Sequence, residues 1–300
     1  MRRGSQNTAP VPAPDAVEVL LRGLNPQRRT RIVDVGANPL DAPPYAALLK
    51  MGACDVLGFE PQPDAYARLM AARGAHETYL PFAVGDGSEK TLHVYRRSGF
   101  TSVFLPNVPG TMALGTPGWA RVERQLPMQT VALDTDARVG PMDMLKIDIQ
   151  GGEVDVFRGA TGALAVATAV IVELRYFPIY DSEPMVGGVD AELRRQGFIL
   201  HKFLFTKSRM LPNSQSARLQ ERQVKDQAID GDAVYLRRLE ALPDCTDEAL
   251  KHLCVLAAGV FHSHSLVVHV LDLLVGRGRV APGLPATYVD ALPDGLRMAG

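Results

Sequence analysis

The sequence predicts an α/β fold: a mainly parallel sheet that ends in an antiparallel pair, followed by a C-terminal helical extension. Three observations carry this. From residue 31 onward, short apolar runs alternate with helical patterns, as βαβ units do. Two strand-like runs, FILHKFLF (198–205) and DAVYLRRL (232–239), then follow with only a polar loop rich in Ser, Gln, Arg and Lys between them. Beyond Leu242-Pro243 the pattern turns helical.

The elements follow in order. Helix begins near Asp15 and runs through AVEVLLRGL. RIVDVG (31–36) is strand one, and PPYAALLKMG (43–52) is a helix that Gly52 can close. DVLGFEP (55–61) is strand two, DAYARLMAARG (64–74) a helix and TYLPFAVGD (78–86) strand three. Between about 88 and 131 the rhythm breaks: TLHVY, TSVFL and ERQLPMQTVALD alternate like antiparallel strands around a Pro/Gly-rich loop at 106–118. MDMLKIDI (142–149) is a buried strand, EVDVFRGATGAL its helix, AVIVELRYF (169–177) strand five and VDAELRRQG (189–197) a helix. Thr246 can N-cap DEALKHLCVLAAG, and a second apolar helix covers about 264–275. Residues 1–14 read as a disordered tail, 15–240 as the main domain and 241–300 as the extension, whose helices either cover a sheet face or join two copies as a homodimer.

Composition excludes some classes. The chain is 46% hydrophobic and 22% charged with a net charge of −1, so bulk electrostatics gives no reason to expect nucleic acid or anionic membrane. Cys54, Cys245 and Cys254 lack C-x-x-C spacing and read as reduced thiols. The N-terminal arginines have no apolar run behind them, unlike a signal peptide, and His, Ser and Asp interrupt the apolar stretch 252–275. The expectation is a cytoplasmic protein without a membrane span. His262, His264 and His269 do not converge on one helix face with a carboxylate, so no metal is expected.

Candidate ligand residues gather where strands end. Asp34 precedes the turn Gly36-Ala37-Asn38, Glu60 with Pro61 ends the second strand, and Asp86 follows the third. A carboxylate after strand two can accept hydrogen bonds from both hydroxyls of a ribose. An acid in such a place is also a common helix cap, but three after three successive strands point to a nucleoside. A dinucleotide would need close-approaching glycines and free N–H groups for its pyrophosphate. Leu40 stands where a further glycine would help, and Pro43 and Pro44 each remove a donor. S-adenosylmethionine has no phosphate and carries positive charge, so an acidic loop suits it better than NAD.

A third cluster is LKIDIQGGEVDVFRGA (145–160): Lys146, Asp148 and Glu153 surround the end of the fourth strand, and Gly151-Gly152 allows close approach. The plainer alternative is that Glu153 complements a helix start and Lys146 pairs with a neighbouring acid. With VDVGAN (33–38), GFEPQPDAYARL (58–69), PFAVGDGSEKTLHVY (81–95), TVALD (130–134) and this block in order, the chain resembles the FkbM family of S-adenosylmethionine-dependent methyltransferases over about residues 30–240. The block K-I-D, then Glu or Gln, Gly, any residue and Glu, is specific. The resemblance implies a class I methyltransferase (Rossmann-like) fold with a mainly parallel seven-stranded sheet and an antiparallel last strand. It also implies methyl transfer to a hydroxyl of a sugar, glycan or related natural product. By position Asp34, Gly36, Ala37 and Asn38 would hold the methionine part, Glu60 and Pro61 the ribose and Asp86 the adenine side. Asp148 would face the methyl donor, with Glu153 nearby. Pro39 and Leu40 depart from the family's usual loop.

Transfer to oxygen needs alignment and a base. Asp148 is the first candidate base; Glu173, ending an otherwise apolar strand, is the second, with a salt bridge to Arg175 as the alternative. His93 and His201 are weaker candidates. Residues 99–119 form the candidate acceptor lid, where Thr101, Ser102 and Asn107 could bond a polyol. The competing function is a non-catalytic relative that binds cofactor or a partner.

Overall fold

The centre of the molecule is one mainly parallel sheet. The computed structural model describes residues 14–39 and 42–298; the expected tail lies outside the described residues except for Pro14, which opens the first helix, and Leu40 lies outside them too. In chain order the elements are α1 (Pro14–Leu24), β1 (Thr30–Val35), α2 (Ala46–Lys50), β2 (Cys54–Phe59), α3 (Pro63–Ala72), β3 (Glu77–Leu80), β4 (Ala83–Val84) and β5 (Glu89–Tyr95). Next come α4 (Val108–Ala113), β6 (Val122–Val131), β7 (Met144–Ile147), α5 (Glu153–Arg158), α6 (Thr161–Val166), β8 (Ala169–Arg175) and α7 (Val186–Arg195). The chain closes with β9 (Phe198–Phe203), β10 (Lys207–Arg209), β11 (Gln227–Arg237), α8 (Asp247–Gly259), α9 (His264–Gly276) and α10 (Leu284–Asp290).

Strands β3, β2, β1, β7 and β8 are parallel, and β11 is antiparallel to β8. Outside β11, the last position is filled by two short strands: β9 pairs with its carboxyl part and β10 with its amino part. The sheet has eight strands where seven were expected, because the sixth breaks at Phe205–Thr206. The break passes over Gly231, where a Cβ would lie 2.3 Å from the Phe205 carbonyl oxygen.

Other departures have local causes. The helix expected from Pro43 starts only at Ala46, after two residues that lack N–H donors, and Gly52 ends it at φ 65°. Strand three divides at Pro81-Phe82, and its second piece joins β6 and β5 in a separate three-stranded sheet. TSVFL is not a strand: Ser102 bridges His93, and its hydroxyl turns the chain back to bond Phe104 N–H. The helix after β7 breaks at Gly159, where a Cβ would meet the Gly85 carbonyl at 2.5 Å. Strand β10 and helix α10 were not anticipated; Thr246 caps α8 through Ala249 N–H as expected.

The sheet buries both faces differently. One face carries Val33, Val35, Leu145, Ile147, Val172, Leu174 and Tyr235 under Phe157, Leu164 and Leu193 of α5–α7. The other carries Ile32, Val56, Met144, Ile171, Val234 and Leu236, which share one core with α1, α8, α9 and α10. The extension 241–300 thus covers a sheet face and is continuous with the main core. No described helix is long and apolar enough to cross a membrane.

Candidate active site

Side chains alternate along a strand, so the face that carries Ile32, Met144, Ile171 and Val234 continues toward the parallel strands' carboxyl ends as Asp34, Lys146 and Asp148, Glu173 and Arg175, and Asp232 and Asp230. The face turns from apolar to charged within two residues on four adjacent strands.

At the end of β1 the chain turns through Gly36 at φ 81°. A Cβ there would lie 2.2 Å from the Asp148 carbonyl oxygen, so glycine is required to let the loops after β1 and β7 touch. Gly36 and Ala37 N–H both donate to Phe59 O, and Asn38 N–H donates to Gly36 O. Below this turn Asp34 is only 2% exposed. Tyr45 donates its hydroxyl hydrogen to Asp34 Oδ2, and Lys146 Nζ lies 3.1 Å from Oδ1. Burial disfavours the Lys146 charge, but Asp34 and Asp148 outweigh it and hold the ammonium above the usual lysine range. Asp34 therefore faces a cation and a hydroxyl of its own protein. Asn38 presents a buried Oδ1 without a hydrogen-bond partner.

Glu60, at the end of β2, is 3% exposed, and its Oε1 accepts from Gln62 N–H at 2.8 Å. Burial pushes its carboxyl above the usual range. Pro61 follows it, half-buried. Asp86 is exposed: it accepts from Ser88 N–H and hydroxyl, which lower its pKa, and lies 3.6 Å from Lys90. It holds its own turn together.

The loop after β7 is organised by Gln150, a non-glycine residue at φ 62°. Its Nε2 donates to Asp148 Oδ1 at 2.9 Å and to Glu173 Oε2 at 2.7 Å; its Oε1 accepts from Arg175 Nη2 at 3.0 Å and lies 3.1 Å from Tyr180 OH. Glu153 turns inward and accepts from Ile149 and Gly151 N–H, each at 3.1 Å. Burial pushes it up to about 7. Its contacts brace the loop before α5.

Arg175, 4% exposed, holds three acids: Glu173 at 3.0 Å, Glu183 at 3.2 Å and Asp230 at 3.1 Å. Lys207 adds a second cation 3.0 Å from Asp230. Burial pushes Glu173 well above the carboxylate range, and nearby Asp148 adds to this while Arg175 opposes it. The structure thus brings Asp148 and Glu173 together through one amide. Sequence reasoning missed Tyr45, Gln150, Glu183, Asp230 and Asp232. The signal available was the alternation along DGDAVYL: acids at 230 and 232 share parity with buried Val234.

The expected acceptor residues are engaged elsewhere. Ser102 donates to Gln150 O at 2.6 Å, Thr101 Oγ1 accepts from Tyr95 N–H, and Asn107 caps α4 through Gly110 N–H while donating to Pro178 O. These contacts fasten the 99–119 segment onto the loop after β7 and the chain after β8. His93 is buried with Nδ1 unpartnered. His201 bonds Ser263 of the extension, His262 lies against Ala258 O, and His264 bonds Tyr288. Two recesses of about 430 Å³ and 470 Å³ open at the opposite edge of the sheet, around Arg31, Asp55 and Arg138 and around Arg28, Asp143 and Glu248, and neither is lined by Asp34, Asp148 or Glu173.

Residues 34–200 match the methyltransferase FkbM domain. The chain belongs to the FkbM methyltransferase family. No curated protein matches it. Among solved structures it is similar to precorrin-6y C5,15-methyltransferase from Geobacter metallireducens, at 11% identity over 74% of this chain and 87% of that one, with a TM-score of 0.37. It is also similar to LepI in complex with SAM, at 9% identity over 79% of this chain and 50% of that one (TM-score 0.37). A third is a mutant of the 16S rRNA (adenine(1408)-N(1))-methyltransferase from Catenulisporales acidiphilia, at 13% identity over 74% and 93% (TM-score 0.32). This FkbM chain is a methyltransferase, and its sheet has the mainly parallel order with an antiparallel end that the resemblance implied.

Proposed function

We propose that the chain methylates a hydroxyl of a sugar, glycan or related natural product, taken up as a small-molecule or glycan acceptor. The observation that carries this reading is the charged patch at the carboxyl ends of β7 and β8, beside the Gly36 turn. Carboxylates there can orient a hydroxyl and take its proton, which transfer to oxygen requires.

The residues present fit the cofactor. Asn38 offers a buried Oδ1 that no donor of the protein bonds, and Glu60 ends β2 where ribose hydroxyls would be read. S-adenosylmethionine supplies an electrophilic methyl group on sulfur. Gly36, Ala37 and Asn38 hold its methionine part, Glu60 and Pro61 its ribose, and the turn at Asp86 borders its base. Asp34 acts indirectly, by fixing Lys146 and Tyr45 beneath the turn. Asp148 orients the acceptor. Glu173, tied to Arg175 and raised by burial, holds charge and geometry in place, and Glu153 braces the loop.

Calorimetry with S-adenosylmethionine and methyl-label transfer to a panel of methyl glycosides test the reading. Binding with label on a hydroxyl is expected. No binding at millimolar cofactor, or label found on nitrogen or carbon alone, overturns it.

A further inference from the structure

The register of β11 places Asp232 opposite Glu173, and Asp148 follows Ile147, whose partner on β8 is Val172. Asp148, Glu173 and Asp232 therefore stand in one row on one face of three adjacent strands. Opposed Cβ atoms on neighbouring strands are about 5 Å apart, so the three carboxyl groups are close neighbours.

The row is unequal. Asp148 is bonded by Gln150, and Glu173 by Gln150 and Arg175. Asp230, one step nearer the edge, is held by Arg175 and Lys207. Among the described residues, the Asp232 carboxylate has neither a side-chain hydrogen bond nor an ion pair. Its backbone, in contrast, is pinned: Asp232 O accepts from Leu204 N–H at 2.8 Å, and Gly231 is pressed against Phe205. A fixed main chain bearing an uncommitted carboxylate is what a proton acceptor needs.

We propose that Asp232 is the base that takes the acceptor's hydroxyl proton. This rests on the hydroxyl-methylating reading above. In the step, a lone pair on the acceptor oxygen forms the new O–C bond and the methyl carbon–sulfur bond breaks. Its electron pair passes to sulfur, which becomes a neutral thioether, and the hydroxyl proton goes to an Asp232 oxygen and then to water.

The charges around Asp232 suit the role. Asp148 and Lys146 face it from β7, Glu173 and Arg175 from β8, Lys207 from β10 and Asp230 from its own strand, with Tyr176 beyond β8. Burial and then Asp148 push its carboxyl up to about 6, against Lys146 and Lys207. It is therefore ionised at neutral pH yet more basic than an exposed aspartate.

The test compares wild type with Asp232→Asn. In wild type, kcat/KM should rise with pH through an inflection near 6. The variant should lose about 10²- to 10³-fold in kcat together with that inflection, while its calorimetric affinity for S-adenosylmethionine stays unchanged. A second readout needs no acceptor. An acid whose folded pKa lies above its unfolded one lends stability fully present at low pH and lost as pH rises through the folded value. Asp232→Asn should therefore melt above wild type at pH 7.5, with the gap closing toward pH 4. Unchanged turnover in the variant, or melting curves that stay parallel, overturns the assignment. A wild-type profile without the inflection overturns it even if the variant does not fold. Absence of methyl transfer to any hydroxyl removes the underlying reading as well; transfer with unaltered variant kinetics removes this assignment alone.

Discussion

The two halves of one sheet face behave as different materials. The amino half, with Ile32, Val56, Met144, Ile171 and Val234, is sealed by helices, α8 and α9 among them. The carboxyl half, on the same strands and the same parity, carries Asp34, Lys146, Asp148, Glu173, Arg175 and Asp232. In the sealed half, stability comes from area removed from water and depends little on which apolar group supplies it. In the charged half every ion but Asp232 is compensated by named partners, so the loss of one leaves its neighbours exposed to one another. The difference teaches where the protein tolerates change: the sealed half by volume, the charged half only by matching charge and hydrogen-bond count.

Substitutions can break this contrast. Arg175→Met should have the largest effect, since it leaves Glu173, Glu183 and Asp230 without their shared cation. We expect a loss of about 4 kcal/mol by chemical denaturation at pH 7.5, shrinking in acid as Glu173 and Glu183, both raised by burial, protonate. A loss that does not change with pH would show that packing, not charge, dominates there. Leu253→Ala, in the sealed half, removes a fully buried side chain of α8 and should cost about 3 kcal/mol, the same at pH 5 and pH 8. Tyr45→Phe keeps the ring but removes the donor to buried Asp34; about 1.5 kcal/mol is expected, together with weaker cofactor binding in calorimetry. Full retention of both would separate the Gly36 turn from the Asp34 pair beneath it.

Much of this was legible in the residues. The βαβ alternation, the antiparallel end and the Thr246 cap follow from period and composition, which act locally. The FkbM signature marked Asp148, and an acid closing an apolar run marked Glu173; the structure joins the two through Gln150. What could not be read was mostly commitment. Thr101, Ser102 and Asn107 look like free polar groups in a loop, but their partners are carbonyls and N–H groups 2 to 71 residues away in sequence. Asp34 looks like a free anion until Lys146 is set beside it by the β1–β7 register. Alternation puts Asp230 and Asp232 on the face of Val234, but no local pattern states which strands flank β11 and so which charges they meet. The split of the sixth strand likewise depends on Gly231 meeting a backbone across the sheet.

One feature of the seal reaches into how the chain is made. Helix α1, starting at Pro14, packs on α8 and on α10, which starts at Leu284; Gly23 is the contact point, where a Cβ would lie 2.3 Å from Leu284 Cδ1. The first helix emerges from the ribosome long before its partners, so through most of synthesis its apolar stripe of Ala16, Val17, Leu20 and Leu24 waits unpaired. Joining α1 to α10 closes a long stretch of sequence, and such closures form late. Synthesis of α8 and α10 is then the moment at which the nascent chain stops presenting that sticky surface.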